Sequence, residues 1–362
     1  MASTQTKKIA LTVAAVAIVL TAAFLVFHFS RKGPDSARAE LLGFVPADTT
    51  SVIFIDAEQL RASVFLATLY SWAPHPAEDS EYKQFILDTG FDYERDLSRV
   101  FIAISNQGAR SNTLVVAEGQ FNRKKIEAYL GKTSPPVKPG AQAIFQIPAR
   151  ESAKPAFFAF LSDHRVAISD SEILSEIPFA AAPAAIRAEW QTRFDRLSGS
   201  PFFAVIRQDP AIQNLAANQS PQLAAFIAQL PWISLAARPD GDMLRVIAEG
   251  ETITDTASSQ LRDFLQGIEL LAQTGLNDAK LRQQMDPEER AAYIELLKGT
   301  EIEKISRGDS KSVRIVVPIT TQFLKVAKIP SLGAAPSPAA DPPPAAGNEK
   351  LTSRRDKPEK KK

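Results

Sequence analysis

Residues 9–29 read IALTVAAVAIVLTAAFLVFHF, an apolar run without a formal charge whose only polar side chains are Thr12, Thr21 and His28. At about 1.5 Å of rise per residue, a helix of this length spans roughly 30 Å, the thickness of a bilayer's hydrocarbon core. The run predicts a transmembrane helix over 9–29 with the lipid bilayer as its partner, and His28 as a boundary residue whose imidazole reaches the interface. A cleaved signal peptide is the rival reading, since Ala37-Arg38-Ala39 offers an A-x-A pattern. A cleavable apolar region is about 7 to 15 residues long, however, and this pattern lies beyond it, behind Arg31 and Lys32. With only residues 1–8 ahead of the helix, a cytoplasmic N-terminus and an extracytoplasmic domain are expected.

Charge is segregated along the chain. Residues 1–39 carry Lys7, Lys8, Arg31, Lys32 and Arg38 against Asp35, and residues 331–362 carry seven Lys or Arg against four Asp or Glu. The whole chain is at +1, so residues 40–330 are left with a net charge of −6. An acidic domain lacks the clustered cations that neutralise phosphates, which argues against a nucleic-acid surface. Absence of cysteine excludes disulfides, thiolate metal sites and cysteine nucleophiles.

Beyond a polar linker at 30–40, periodicity places one α+β half over 41–198 and a second over 199–329. Residues 50–56 (TSVIFID) read as a strand buried on both faces, followed by a helix over 57–71 capped by Asp56. A second helix is expected over 79–89, closed by Gly90. Residues 99–105 and 113–121 predict an antiparallel hairpin around Gln107-Gly108, followed by a helix over 122–130. Segments 143–147, 156–161 and 166–169 continue the sheet, the last two joined by Ser162-Asp163-His164-Arg165. Residues 330–362 are rich in Pro, Ala and Lys, with almost no apolar side chain to offset the entropy of ordering, so this tail is expected to be disordered. Its basic residues suit an anionic surface as partner.

The order of elements then recurs. SPFFAVIRQDP (200–210) matches the first strand, and WISLAARPDGDMLRVIAEGETI (232–253) matches VFIAISNQGARSNTLVVAEGQF (100–121), down to the shared Ala-Glu-Gly ending. An amphipathic helix carrying Leu261, Phe264, Leu265, Ile268 and Leu271 follows, and 301–319 forms another hairpin. Asp286-Pro287-Glu288-Glu289 has the cap, N1 proline and acidic first turn of an inserted helix. The expected fold class is therefore α+β: an N-terminal transmembrane helix, a duplicated α+β domain with mainly antiparallel sheets covered by helices, and a disordered tail. Phe44-Val45-Pro46-Ala47-Asp48-Thr49, the strand ending at Asp56, and Leu60-Arg61-Ala62-Ser63 together resemble the opening of uncharacterised bacterial membrane-anchored proteins of the domain-of-unknown-function kind. That resemblance implies an anchored, repeated α+β domain facing the envelope, and no particular activity.

Chemistry is harder to find. His75 lies between Pro74 and Pro76 and His164 in a hairpin turn, and neither belongs to a ligand-spaced pair. Asp88, Asp92, Glu94 and Asp96 form the densest carboxylate group, but Gly90 interrupts their helix and no calcium-loop spacing is present, so a capped loop is expected. Nucleophile-elbow, phosphate-loop and dinucleotide-turn motifs are all missing. Ser258, Ser259, Ser306 and Ser310 lie near lysines without a distinguishing pattern. Trp72, Trp190 and Trp232 read as core or domain-edge residues, and Phe157, Phe158, Phe160, Phe202 and Phe203 as packing on a sheet covered by helices. No catalytic, cofactor or metal residue is assigned. A non-enzymatic envelope protein that binds a protein or ligand partner is the expectation, and a membrane-tethered hydrolase with an unrecognised site is the alternative.

Overall fold

A computed structural model describes residues 40–327 apart from 73–79, 108–109, 134–135, 139–142, 148–154, 172–173, 175–183 and 209–224. The apolar run 9–29, His28, His75 and the basic tail lie outside the described residues. Among the described residues no helix is long and apolar enough to cross a membrane.

The chain forms one antiparallel sheet with helices on its faces. Its strands are β1 (Thr49–Asp56), β2 (Leu97–Gln107), β3 (Arg110–Gly119), β4 (Pro136–Lys138), β5 (Ile144–Ile147), β6 (Ala156–Ser162), β7 (Arg165–Ser169), β8 (Phe202–Arg207), β9 (Trp232–Asp240), β10 (Met243–Thr252), β11 (Glu301–Arg307) and β12 (Ser310–Thr320). Their order across the 12-stranded sheet is β11-β12-β10-β9-β8-β1-β2-β3-β7-β6-β5-β4. The sheet runs without a break across 41–198 and 199–329, because the first strand of each range, β1 and β8, pair with each other.

Strand order within the two ranges is the same: β1-β2-β3-β7-β6 runs outward one way and β8-β9-β10-β12-β11 the other. Register agrees as well. Phe54 faces Phe203 across the β1–β8 seam. Outward on one side Phe54 faces Phe101, which faces Val116; on the other Phe203 faces Ala236, which faces Ile247. Two residues beyond Val116 and Ile247 stand Glu118 and Glu249, opposite Arg165 and Arg314 respectively. A rotation of half a turn about an axis between Phe54 and Phe203 therefore superposes the strand plan on itself.

Alternating side chains divide the core into two layers, as a sheet buried on both faces requires. Ile55, Val100, Phe158, Phe160, Phe202, Ala204 and Val246 lie on one face, under α1 (Ala57–Arg61), α2 (Val64–Trp72), α5 (Arg123–Thr133), α9 (Pro287–Lys298) and α10 (Thr321–Val326). Val52, Phe54, Phe101, Val116, Phe203 and Val205 lie on the other, under the 3-10 turn Leu42–Phe44 and α6 (Ala184–Arg196), which contributes Trp190 and Phe194. The long α7 (Asp255–Asn277) packs Leu261 and Leu265 beside Val313, and α8 (Ala279–Gln284) leads from it to α9.

Local signals account for most of the helix ends. Asp56 caps α1 by accepting from the Gln59 N–H at 3.0 Å, and Asp286 with Pro287 opens α9. The helix expected over 57–71 is two helices instead. Ser63 breaks it, its hydroxyl accepting from the Leu66 N–H at 3.3 Å as a new cap. Helix α3 (Ser80–Thr89) ends at Gly90, whose φ of 73° suits glycine, and α4 (Tyr93–Asp96) follows as a single capped turn.

The two Ala-Glu-Gly endings place Gly119 and Gly250 in different surroundings. A Cβ on Gly119 would come within 2.5 Å of the Asp96 carbonyl oxygen, whereas one on Gly250 would meet a methyl of Leu230 at 2.9 Å. Backbone cannot swing aside and a leucine can. Gly119→Ala is expected to cost about 2–3 kcal/mol and Gly250→Ala about 1 kcal/mol, measured as shifts in the urea midpoint; equal costs would mean that the Asp96 turn yields freely.

Candidate functional site

Of the carboxylates singled out in the sequence, Asp92 and Asp96 bind the turn of α4. Asp92 caps α4, accepting from the Glu94 N–H at 2.9 Å and from the Tyr82 hydroxyl at 3.0 Å. Asp96 accepts from the Asp92 N–H at 2.9 Å and is paired with Arg95, whose hydrogen bonds hold its carboxyl below the ordinary range. Asp88 turns away toward Gln84 and Lys132. His164 stays in the β6–β7 turn, where its carbonyl accepts from the Gly119 N–H at 3.1 Å. Among the described residues no group of three or more His, Asp or Glu is arranged to hold a metal ion.

One Ser–Lys contact does form. Lys304 Nζ lies 3.2 Å from Ser259 Oγ, but it also donates to Asp255 at 2.6 Å. The Asp255 carboxyl is held below its ordinary range by that hydrogen bond. A base that is to deprotonate serine needs a free lone pair, and an ammonium in an ion pair has none. Ser258 is buried and donates to the Asp255 carbonyl, and Ser310 accepts from Arg196 at 3.4 Å. Trp190 and Trp232 are core residues in edge-to-face contact, while Trp72 is 37% exposed at the end of α2.

The residues the structure does gather were not singled out beforehand. Three buried glutamates sit on the same sheet face, where an unpaired charge would be strongly disfavoured. Glu118 is held by Arg99 at 2.8 Å and by Arg165, whose Nε donates at 2.9 Å; Arg165 also reaches Glu40 at 2.8 Å and lies over the Phe44 ring. Glu249 is 3% exposed and is held by Arg307 at 2.5 Å, by Arg314 at 2.8 Å and by the Ser312 hydroxyl at 2.9 Å. Burial alone would raise the Glu249 carboxyl, but the hydrogen bonds from Arg307, Arg314 and Ser312 outweigh it and leave it below the ordinary range. Glu251 is held by Arg193 and Arg196, each at 2.7 Å, and Arg193 stacks 3.8 Å above the Trp232 ring.

These clusters fasten the segment ahead of each half to the sheet. Glu40, ahead of β1, ties to Arg165 on β7; Arg193 and Arg196, on α6 ahead of β8, tie to Glu251 on β10. Both Glu249 oxygens are filled by guanidinium and hydroxyl donors, which leaves no place for a substrate proton or a metal. The sequence signal that could have found them is the charge itself: a glutamate at the same place in two apolar strands, Val-Val-Ala-Glu-Gly and Val-Ile-Ala-Glu-Gly.

No family model matches this chain, and no curated protein matches it. Among solved structures the chain is similar to TP0453. Crystal form I gives a TM-score of 0.40 at 12% identity over 81% of this chain and 97% of that one. Crystal form III gives 0.37 at 11% identity over 82% and 97%.

Proposed function

We propose that this chain is a single-pass, membrane-anchored protein whose α+β domain lies outside the cytoplasm and serves a binding role in the envelope rather than a catalytic one. The observation that carries the reading is how the domain uses its buried charge. Glu118, Glu249 and Glu251 are each consumed by two arginines that fasten elements together, and the Ser259–Lys304 contact is closed by Asp255. Groups used as fasteners are not poised for proton transfer.

Anchoring rests on the apolar run 9–29 and on its distance from the domain. Glu40 is fixed by Arg165, and Leu41 and Leu42 are buried, so a linker of about ten residues, reaching at most roughly 35 Å, separates the run from the first fixed residues. The domain would therefore stay within about 35 Å of the membrane surface. The shared strand plan supports descent by duplication of one module, as the resemblance to anchored, repeated envelope proteins implies.

Topology decides between the anchored reading and its rivals. Full-length protein should sediment with membranes, resist extraction by high salt, and lose its domain to protease added to spheroplasts. Deleting residues 10–30 should release a folded, soluble domain. A domain protected from protease in intact spheroplasts would overturn the extracytoplasmic placement, and a deletion variant that still sediments would overturn the anchor.

A further inference from the structure

The fastenings ahead of β1 and β8 differ in what their release would leave behind. Residues 40–45 form a strap. Glu40 is pinned to Arg165 on β7, the 3-10 turn Leu42–Phe44 follows, and Leu41, Leu42 and Val45 lie buried in the layer that holds Phe101, Val116 and Ala167. The strap joins β1 through a turn in which the Thr49 N–H donates to the Pro46 carbonyl at 3.2 Å and the Ser105 hydroxyl donates to Asp48 at 3.1 Å. Among the described residues no backbone hydrogen bond joins 40–45 to a strand; the Val45 N–H donates within the strap, to the Leu42 carbonyl. Side chains hold it to the sheet.

Electrostatics separates the two fastenings. The Glu40 side chain is already 61% exposed and returns to water at little cost, while Arg165 keeps its bonds to Glu118. Glu118 in turn keeps Arg99. Lifting the strap therefore strips no buried charge of its partners. Lifting α6 would take both Arg193 and Arg196 from Glu251, a buried carboxylate, and stranding such a charge is strongly destabilising. Helix α6 is further held by Trp190 and Phe194 and by the stack of Arg193 on Trp232.

We propose that residues 40–45 are a detachable strap: they lift from the sheet as a unit, hinged at Pro46, while β1 keeps both neighbouring strands and α6 stays closed, and the lifting uncovers an apolar layer of the sheet. Because the strap continues directly into the linker, displacement of the linker acts on this step before it reaches any strand. Opening is a property of the domain and does not depend on the chain being anchored.

The chain has no cysteine, so single introduced thiols report opening through their rate of labelling. Leu42→Cys on the strap and Leu197→Cys just beyond α6 remove the same side chain at the same 3% exposure, and Val52→Cys reports β1. In the full-length protein under native conditions, each variant first shown by thermal melting to be folded, the Leu42→Cys thiol should be labelled at least about 100-fold faster than the Leu197→Cys and Val52→Cys thiols. Val45→Cys is a second strap probe, should follow Leu42→Cys, and takes its place if that variant does not fold. Adding Glu40→Gln should speed labelling on the strap a further two- to fivefold or about that, the range for a partly exposed ion pair, and leave Val52→Cys unchanged. Equal rates on the strap and at Val52→Cys would mean that the strap leaves only when the sheet unfolds, and faster labelling at Leu197→Cys would mean that α6 opens first; either result overturns the proposal. So would strap labelling indifferent to Glu40→Gln, since the pin would then hold nothing.

Discussion

Replacing Phe54 with alanine lowers the stability of the folded chain by about 4 kcal/mol, the upper range for losing a fully buried aromatic ring. Phe54 is 0% exposed and lies beside the axis that relates the two strand plans, opposite Phe203. Its ring stacks on Phe203 at 5.1 Å, and Phe203 in turn meets Phe194 of α6 at 4.7 Å edge-to-face. Removing it opens a cavity among β1, β8 and the helix that spans them, in a seam whose strands cannot close the gap without breaking register. For a domain this large, about 4 kcal/mol corresponds to a fall in melting temperature of roughly 10 °C. Phe54→Leu retains most of the volume and should cost no more than about 1.5 kcal/mol. A Phe54→Ala protein with a urea midpoint close to that of the parent would mean that the seam carries little of the fold's stability.

Glu249→Ala is expected to cost about 3 kcal/mol, because it leaves Arg307 and Arg314 facing each other with no carboxylate between them. Glu249→Gln keeps the shape and one acceptor oxygen, and should cost less, about 2 kcal/mol. The carboxyl has a lower pKa folded than unfolded, so its contribution is complete at neutral pH and is lost as pH falls through the folded value, below the ordinary carboxylate range. Urea melts of the parent and of Glu249→Gln should therefore differ widely at pH 7 and converge as the pH is lowered past the ordinary carboxylate range. Parallel curves across that range would show that the carboxylate's charge is not what holds the cluster.

Much of this fold can be read from the sequence, for identifiable reasons. Strands β1, β2, β3, β9 and β10 announce themselves because β-branched and apolar residues crowd short runs bounded by turns, and Asp56, Gly90 and Asp286-Pro287 mark helix ends by local chemistry alone. What stays hidden is pairing over distance. Nothing near Phe54 or Phe203 states that they face each other, so the union of two halves in one sheet is invisible until the strands are assembled. The break at Ser63 is missed because apolar spacing continues through it, while a serine hydroxyl competes locally for the Leu66 N–H. The glutamate clusters escape for a related reason. Charged residues in a sequence read as surface, and only the register that brings Arg165 beside Glu118 and Arg314 beside Glu249 shows them turned inward.

The position of β1 and β8 at the middle of the sheet also fixes the order in which the protein can be completed. The hydrogen bond from Arg207 to the Thr49 carbonyl joins residues 158 positions apart, a separation that a ribosome adding about 5–20 residues per second covers in roughly 10 to 30 s. From the emergence of β2 to that of β8, β1 has β2 on one side and no β8 on the other, so the nascent chain displays an open, strongly apolar strand before its partner exists. Contacts between strands so far apart in sequence form slowly even in the finished chain, because the loop must be closed before any of them is gained. The exposure of β1 along its second edge therefore ends only with the synthesis of β8.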